Sequence, residues 1–200
     1  MIYPAFFDTV EPIVTYDPLA DILGAVEEGK IAYHYLDMVK LAGHSCPTVA
    51  GAWLMTRIGL QRLYGSELPV RGNVKVEIRE ALDEGVAGVI GSCIGLVTGA
   101  GNEGGFKGLG GKFARNNRLV FGAELGAEVR LTRLDNAEHV EMSYDPSIVP
   151  GRPEMGPLMQ KIMQGAANEE EKKRFGELWQ ARVRRILTEK ELWKEIVTVS

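Results

Sequence analysis

One apolar segment, residues 47–64, most constrains the fold of this 200-residue chain. Pro47 suits the first turn of a helix, because N–H groups there make no hydrogen bond within the helix and the lack of one costs nothing. Apolar residues then recur at helical spacing along two adjoining stripes, so we expect burial on most sides. Gly65 is typical of the position just after a helix. The pattern therefore predicts a buried central helix that begins after Cys46 and ends at Gly65.

His44 and Cys46 lie at the predicted start of this helix. The unpaired N–H groups of a helix N-terminus carry about half a positive charge, which stabilises a thiolate and lowers its pKa. A thiolate is a nucleophile and a metal ligand, and a nearby His adds a base or a second ligand. Gly43 would allow the tight turn that brings both side chains toward one point. The simpler alternative, a small buried Cys46 beside a loop His44, stays open.

Two further residues would complete a site around this pair. His34 lies beside the apolar stripe of a second predicted helix, residues 31–41, as either a packing residue or a further ligand. Cys93 lies in a segment of small residues, 86–99, which we predict to be a short helix. It is either a buried thiol or a second sulfur near Cys46, and a disulfide between the two also stays open.

Glycine is dense between residues 99 and 112. Such a run lets backbone N–H groups approach an anion closely. However, the phosphate-loop motif requires Ser or Thr after its Lys, and Lys112 is followed by Phe113. The dinucleotide-binding motif requires a Gly-x-Gly-x-x-Gly between a strand and a helix, and this arrangement is not found either. We therefore expect a tightly turned or mobile loop that frames a pocket.

The other patterns predict an α+β fold, with an antiparallel sheet of about four to five strands packed by helices. Alternation of apolar and polar residues predicts strands at 74–78, 127–134 and 139–144, the last two as an antiparallel hairpin. Further strands are predicted at 119–123 and, at an edge, at 196–199. His139 would lie on the polar face of its strand. A helix capped by Asp17 would reach about Glu28. A C-terminal helical pair is predicted at 155–164 and 168–187.

We expect one domain over residues 1–200, divided into an aromatic arm (1–16), an α+β core (17–145) and the C-terminal helices (154–196). The net charge of −4 provides no positive field, so we expect no nucleic-acid partner. Two cysteines suit a reducing compartment and predict a cytoplasmic protein. No apolar run reaches the roughly 18 residues of a membrane span and no signal peptide is evident, so we expect no membrane partner.

The segment from Leu36 to Pro47 resembles the signature of the FmdE family, which takes its name from formylmethanofuran dehydrogenase. Members typically carry Asp-(Leu/Met)-Val-x-Phe-His-Gly-His-x-Cys-Pro-Gly before an apolar helix. In this chain the first His of that pattern is replaced by Ala42 and the last Gly by Thr48. The glycine-rich run and the final strand and helix pair also look like the layout of the family.

The resemblance implies an FmdE-like core domain, a homodimer and a place beside a larger enzyme complex of formylmethanofuran-type C1 metabolism. It also implies a metal site at His44 and Cys46, with Cys93 or His34 as further candidate ligands. If the site needs the family His that Ala42 replaces, it would be altered or lost in this chain. Cys and His ligands suit zinc or another late transition metal such as nickel or iron. Some members add a C-terminal zinc finger, and because no Cys follows Cys93 in the sequence we expect no such module here.

Two other functions stay open. Cys46 would be the nucleophile of a thiol-dependent enzyme, with His44 or His34 as the base and the loop at 99–111 as the source of oxyanion donors. Alternatively, the protein would be a non-catalytic accessory protein of a complex in which Cys46 is only structural. Stoichiometric metal in the purified protein separates the metal-binding hypothesis from the thiol enzyme. The accessory hypothesis predicts that Cys46→Ala leaves the binding partners unchanged.

Overall fold

The computed structural model describes residues 3–200, so the first two residues of the predicted arm lie outside the described residues. The described chain has an α+β fold, as predicted. Its strands are β1 (Ile13–Tyr16), β2 (Lys30–Tyr33), β3 (Val74–Ile78), β4 (Leu119–Phe121), β5 (Val129–Arg133), β6 (His139–Tyr144) and β7 (Val197–Val199). Its helices are α1 (Pro18–Ile22), α2 (Tyr35–Ala42), α3 (Pro47–Tyr64), α4 (Ala87–Thr98), α5 (Met155–Met163), α6 (Glu169–Thr188) and α7 (Trp193–Ile196).

The main sheet has five strands in the order β4-β3-β5-β6-β7. β3, β5, β6 and β7 pair antiparallel with their neighbours in this order, and β7 is the predicted edge strand. β4 instead runs parallel to β3, so the prediction of a wholly antiparallel sheet is wrong at this edge. A parallel neighbour requires a crossover, and α4 lies in the connection between β3 and β4. Alternation along one strand carries no information on the direction of its neighbour.

A second sheet pairs β1 with β2 antiparallel, and Ile31 lies opposite Thr15. The predicted helix over 31–41 is therefore wrong in its first part, because the helix begins only at Tyr35. Ile31 and Tyr35 are four residues apart, as a helical stripe requires. The same residues also fit a strand that ends just before a helix, and only the partner strand β1 decides between the two structures.

The first helix is shorter than predicted. Asp17 is its N-cap, as expected, and its carboxylate accepts the N–H groups of Leu19 and Ala20 over 3.0 and 3.2 Å. The helix ends at Ile22, well before Glu28, because Gly24 adopts a left-handed φ of +63°. The chain then makes one 3₁₀ turn, Glu27–Gly29, before β2.

The central helix α3 is buried on nearly all sides, as the sequence predicts. Trp53, Leu54 and Met55 point in successive directions about 100° apart, yet all three are buried. α3 packs against α2, α4, α6 and the sheet. A fully buried Leu or Met contributes about 1.5–3 kcal/mol, so this helix carries much of the core.

The N-terminal arm, from residue 3 on, and α6 also pack on this core. Phe7 of the N-terminal arm is buried and meets the Tyr35 ring edge-on, with 5.1 Å between ring centroids. α6 begins at the predicted N-cap Asn168, which exchanges hydrogen bonds with Glu171 in a capping box. α6 then packs against α3 and α5. In residues 3–200, none of the helices has the length and apolar character needed to span a bilayer.

Candidate functional site

Two helix ends bring His44 and Cys46 to the candidate site. α2 ends at Gly43, whose φ of +76° lies in the left-handed region, where side chains other than hydrogen are strained. Its N–H donates to the Val39 carbonyl over 2.9 Å. Cys46 is already the N-cap of α3. Only His44 and Ser45 therefore separate the two helix caps, as the glycine in this segment suggests.

Cys46 occupies the predicted position at the start of α3. Its Sγ accepts the N–H of Val49 over 3.5 Å, and Pro47 follows in the first helical position. The side chain is 8% exposed, so the sulfur lies close to the helix N-terminus but mostly below the surface. The sulfur therefore lies at the positive end of the helix dipole.

His44 is exposed and is oriented by the backbone. Its Nδ1 lies 2.9 Å from the carbonyl oxygen of Ala42. A carbonyl oxygen only accepts hydrogen bonds, so we assign the proton to Nδ1, which leaves the lone pair of Nε2 free. This contact is typical of metal-ligating His residues. It uses the backbone of Ala42, so it survives the loss of the family His at that position.

Ser45 anchors the loop between the two helices. Its carbonyl accepts Trp179 Nε1–H over 2.9 Å and Gln180 Nε2–H over 3.1 Å. Its hydroxyl donates to Gln180 Oε1 over 3.0 Å and lies 3.0 Å from the Tyr35 hydroxyl, which donates in turn. Tyr35 and Trp179 also fit the apolar stripes of their helices, so helical spacing alone does not reveal these hydrogen bonds. The sequence signal that could have revealed them is that a buried Tyr or Trp needs a hydrogen-bond partner for its O–H or N–H group.

The interior around Cys46 contains polar groups that stay neutral. Both cysteines are free thiols, so no Cys46–Cys93 disulfide is present. Cys93 is fully buried, and burial, together with the nearby Cys46, raises the pKa of Cys93 to about 12. Burial likewise raises the pKa of Tyr35 and of Tyr144. Cys93 is therefore a protonated thiol at neutral pH.

Tyr144 of β6 holds the first turn of α3. Its hydroxyl donates to the Pro47 carbonyl over 2.7 Å. Its ring packs so closely on Gly51 that a Cβ there would lie 2.5 Å from a ring carbon. The start of the helix that carries Cys46 is therefore fixed by the sheet as well as by α6.

The four candidate ligands are not gathered in one place. His34 is exposed at the start of α2, where its backbone N–H donates to the Asp37 carboxylate over 2.8 Å. Cys93 lies in the interior on α4. Within residues 3–200, no three side chains of His, Cys, Asp or Glu lie together so that they would hold a metal ion. His44 and Cys46 fit a zinc-type metal in chemistry, but they are too few for a four-coordinate site built from one chain.

The glycine-rich loop frames a pocket, as expected, but not at Cys46. The pocket has a volume of about 410 Å³ and is lined by Gly99, Gly101 and Gly105 together with two arginines, Arg71 and Arg115. Neither cysteine and no histidine belongs to its lining. The loop therefore gives no support to the hypothesis that it supplies oxyanion donors for Cys46.

Comparison with known protein families matches most of the chain. The model described as "FmdE, Molybdenum formylmethanofuran dehydrogenase operon" matches residues 41–194. This match includes the His44–Cys46 loop, the central helix α3 and the C-terminal helices α5 and α6. A search of curated proteins found no match.

Proposed function

Because this chain belongs to the FmdE family, we propose that it binds a late transition metal through His44 Nε2 and the Cys46 thiolate, as an accessory of formylmethanofuran-type C1 metabolism. The observation that carries the metal proposal is the contact of His44 Nδ1 with the Ala42 carbonyl. This contact occupies Nδ1, so Nε2 is the nitrogen available to a metal, two residues before the helix-capping Cys46. Imidazole and thiolate together suit zinc, nickel or iron rather than magnesium or calcium.

The protein would hold the metal on a pre-ordered loop. Trp179, Gln180 and Tyr35 fix Ser45 between the two ligands, so metal binding would cost little ordering of the backbone. A metal bound there would act as a Lewis acid toward a further ligand. The residues themselves hold the ion, orient the imidazole and limit solvent access to the sulfur.

A second copy of the chain would supply the missing ligands. An isologous dimer presents the same surface twice, so two such pairs would provide two Cys and two His, a full zinc set. One metal per two chains would then be bound, in a homodimer. In the other arrangement, each chain binds its own metal and leaves positions open to water or substrate. Two free thiols suit the reducing cytoplasmic compartment predicted from the sequence.

Elemental analysis of the purified protein tests this proposal. After zinc addition and dialysis, we expect about half or one metal per chain in the wild type, and little in Cys46→Ala or His44→Ala. His139→Ala is the matched control, because His139 is also exposed but lies on β6, and it should keep its metal. Light scattering gives the oligomeric state, and His34→Ala tests the remaining candidate ligand.

Equal metal content in the wild type and Cys46→Ala, or none in either, would contradict the metal proposal. The absence of metal would leave the non-catalytic accessory function. A thiol enzyme has less support, since Cys46 is nearly buried and the glycine-rich loop lines a different pocket. It would be favoured only if metal-free protein had a reaction that Cys46→Ser abolished.

A further inference from the structure

A second polar cluster surrounds the buried carboxylate of Asp17. Arg115 Nη2 donates to Asp17 Oδ1 over 2.7 Å, and Arg71 Nη1 donates to Asp17 Oδ2 over 3.1 Å. Asp17 is 4% exposed and Arg115 is 7% exposed. One carboxylate thus faces two guanidinium groups, which leaves the cluster with a net charge of about +1. We call these three residues the Asp17 cluster.

The positive charge of the two arginines is only partly balanced by Asp17. The Nε atoms of Arg71 and Arg115 are buried and find no hydrogen-bond partner among residues 3–200. Arg118 lies near the cluster: burial and the positive charge of Arg115 together lower the pKa of Arg118. It adds a further positive charge to this region. Excess charge in an interior is costly unless an opposite charge balances it. The cluster therefore favours an anion as a further partner.

A pocket with an apolar wall opens beside the cluster. All three cluster residues line the pocket of about 410 Å³, and so do Leu23 and Phe106. These two apolar side chains are 63% and 47% exposed. The pocket is thus charged on one side and apolar on another, and its volume is that of a small-molecule site.

Glycine at position 99 is what lets the Arg115 side chain enter this pocket. Gly99 has a φ of +73°, and a Cβ there would lie 2.5 Å from Arg115 Nη1. A Cβ at Gly72 would lie 2.6 Å from Arg115 Nε. Both contacts show that two glycine backbones pack directly on the guanidinium group. The loop thus serves to hold an arginine, which the sequence motif alone does not indicate.

We propose that this pocket binds a small molecule carrying a phosphate or carboxylate on an apolar body. Arginines bind such oxyanions with paired, charge-assisted hydrogen bonds. Leu23 and Phe106 would contact the apolar part. The pocket shares no lining residue with the His44–Cys46 loop, so this proposal is independent of the metal proposal. If the cluster is only a structural ion pair, no anion will bind there.

Calorimetry on the full chain tests the proposal with three probes at constant ionic strength: phenyl phosphate, benzoate and neutral benzyl alcohol. We expect saturable binding of at least one anion, which identifies the preferred headgroup, and no binding of benzyl alcohol. Arg71→Gln should weaken that binding about tenfold or more, because a charge-assisted hydrogen bond is lost. Arg79→Gln removes the same charge at an exposed position outside the pocket and should bind as the wild type does.

Phe106→Ser keeps the proposal testable if Arg71→Gln fails to fold, since it changes an exposed wall and leaves every ion in place. It should weaken phenyl phosphate or benzoate several-fold without changing the circular dichroism spectrum. Absence of saturable binding of both anions to the folded wild type would overturn the proposal. Equal affinities of Arg71→Gln and Arg79→Gln, or of Phe106→Ser and the wild type, would overturn it as well.

Discussion

The His44–Cys46 loop and the Asp17 cluster satisfy their polar groups in opposite ways. In the loop, hydrogen bonds between neutral groups hold the Ser45 carbonyl and hydroxyl, and His44 Nδ1 contacts a backbone carbonyl. In the cluster, three ions share contacts and two buried Nε atoms lack partners among residues 3–200. The loop is therefore a fixed platform, whereas the cluster carries a positive charge that its one carboxylate does not balance, and the proposed anion site rests on this charge.

This difference predicts different responses to substitution. A network of hydrogen bonds between neutral groups loses about 0.5–1.5 kcal/mol for each bond removed. A buried ion that loses its counter-charge costs several times as much. Three stability measurements, taken in order of expected effect, sharpen or break the comparison.

Asp17→Asn should have the largest effect, because it leaves two guanidinium groups without a counter-charge. We expect the free energy of unfolding to fall by about 3–5 kcal/mol at pH 7, measured by urea denaturation. Glu11→Gln is the control: Glu11 pairs with Arg57 and Lys190 at the surface, and exposed pairs contribute about 0–1 kcal/mol. A loss for Asp17→Asn no larger than that control would show that the cluster behaves as a surface ion pair.

The same carboxylate predicts a pH dependence. Burial alone would raise the pKa of Asp17, but the hydrogen bonds from Arg115, the Ala20 N–H and Arg71 outweigh it and hold this pKa below its usual value. A depressed pKa stabilises the folded state above the unfolded-state pKa of about 3.9, and that contribution is lost as the pH falls through the folded-state pKa. Urea denaturation below about pH 4 should therefore bring the wild type closer to Asp17→Asn.

Gly51→Ala should have an intermediate effect, because it tests how tightly the start of α3 is packed. The added Cβ would meet the Tyr144 ring, so we expect a loss of about 1–3 kcal/mol in thermal denaturation. Gly176→Ala in α6 is the matched helix control, with no heavy atom within 4 Å of the added Cβ. It should stabilise the protein by up to about 1 kcal/mol. Effects of the same sign at both sites would contradict tight packing at α3.

Gln180→Ala should have the smallest effect of the three. It removes two hydrogen bonds to Ser45 and should cost about 1–2 kcal/mol. Lys173→Ala on the exposed face of α6 should change stability by less than about 0.5 kcal/mol. If the loop is a platform for metal, zinc affinity in a competition assay should also fall for Gln180→Ala. Unchanged stability and affinity would show that Ser45 does not need this clamp.

Elements with local signals could be predicted from the sequence. The Cys46 N-cap, Pro47 and Gly65 mark the ends of α3 within a few residues, and the structure confirms them. The predictions failed where a distant partner decides the conformation. β2 exists because β1 pairs with it, and β4 runs parallel to β3 because α4 crosses between them.

The sequence by itself determined the N-caps Asp17, Cys46 and Asn168, the buried central helix and the placement of His44 and Cys46 at its start. Backbone hydrogen bonding and burial periodicity act over a few neighbouring residues, so these features are local. Only the tertiary structure decided which ions and anchors meet. Asp17 contacts arginines 54 and 98 positions away, and Ser45 contacts Gln180 at a separation of 135. No local pattern encodes such contacts, because they exist only once the helices and the sheet have packed together.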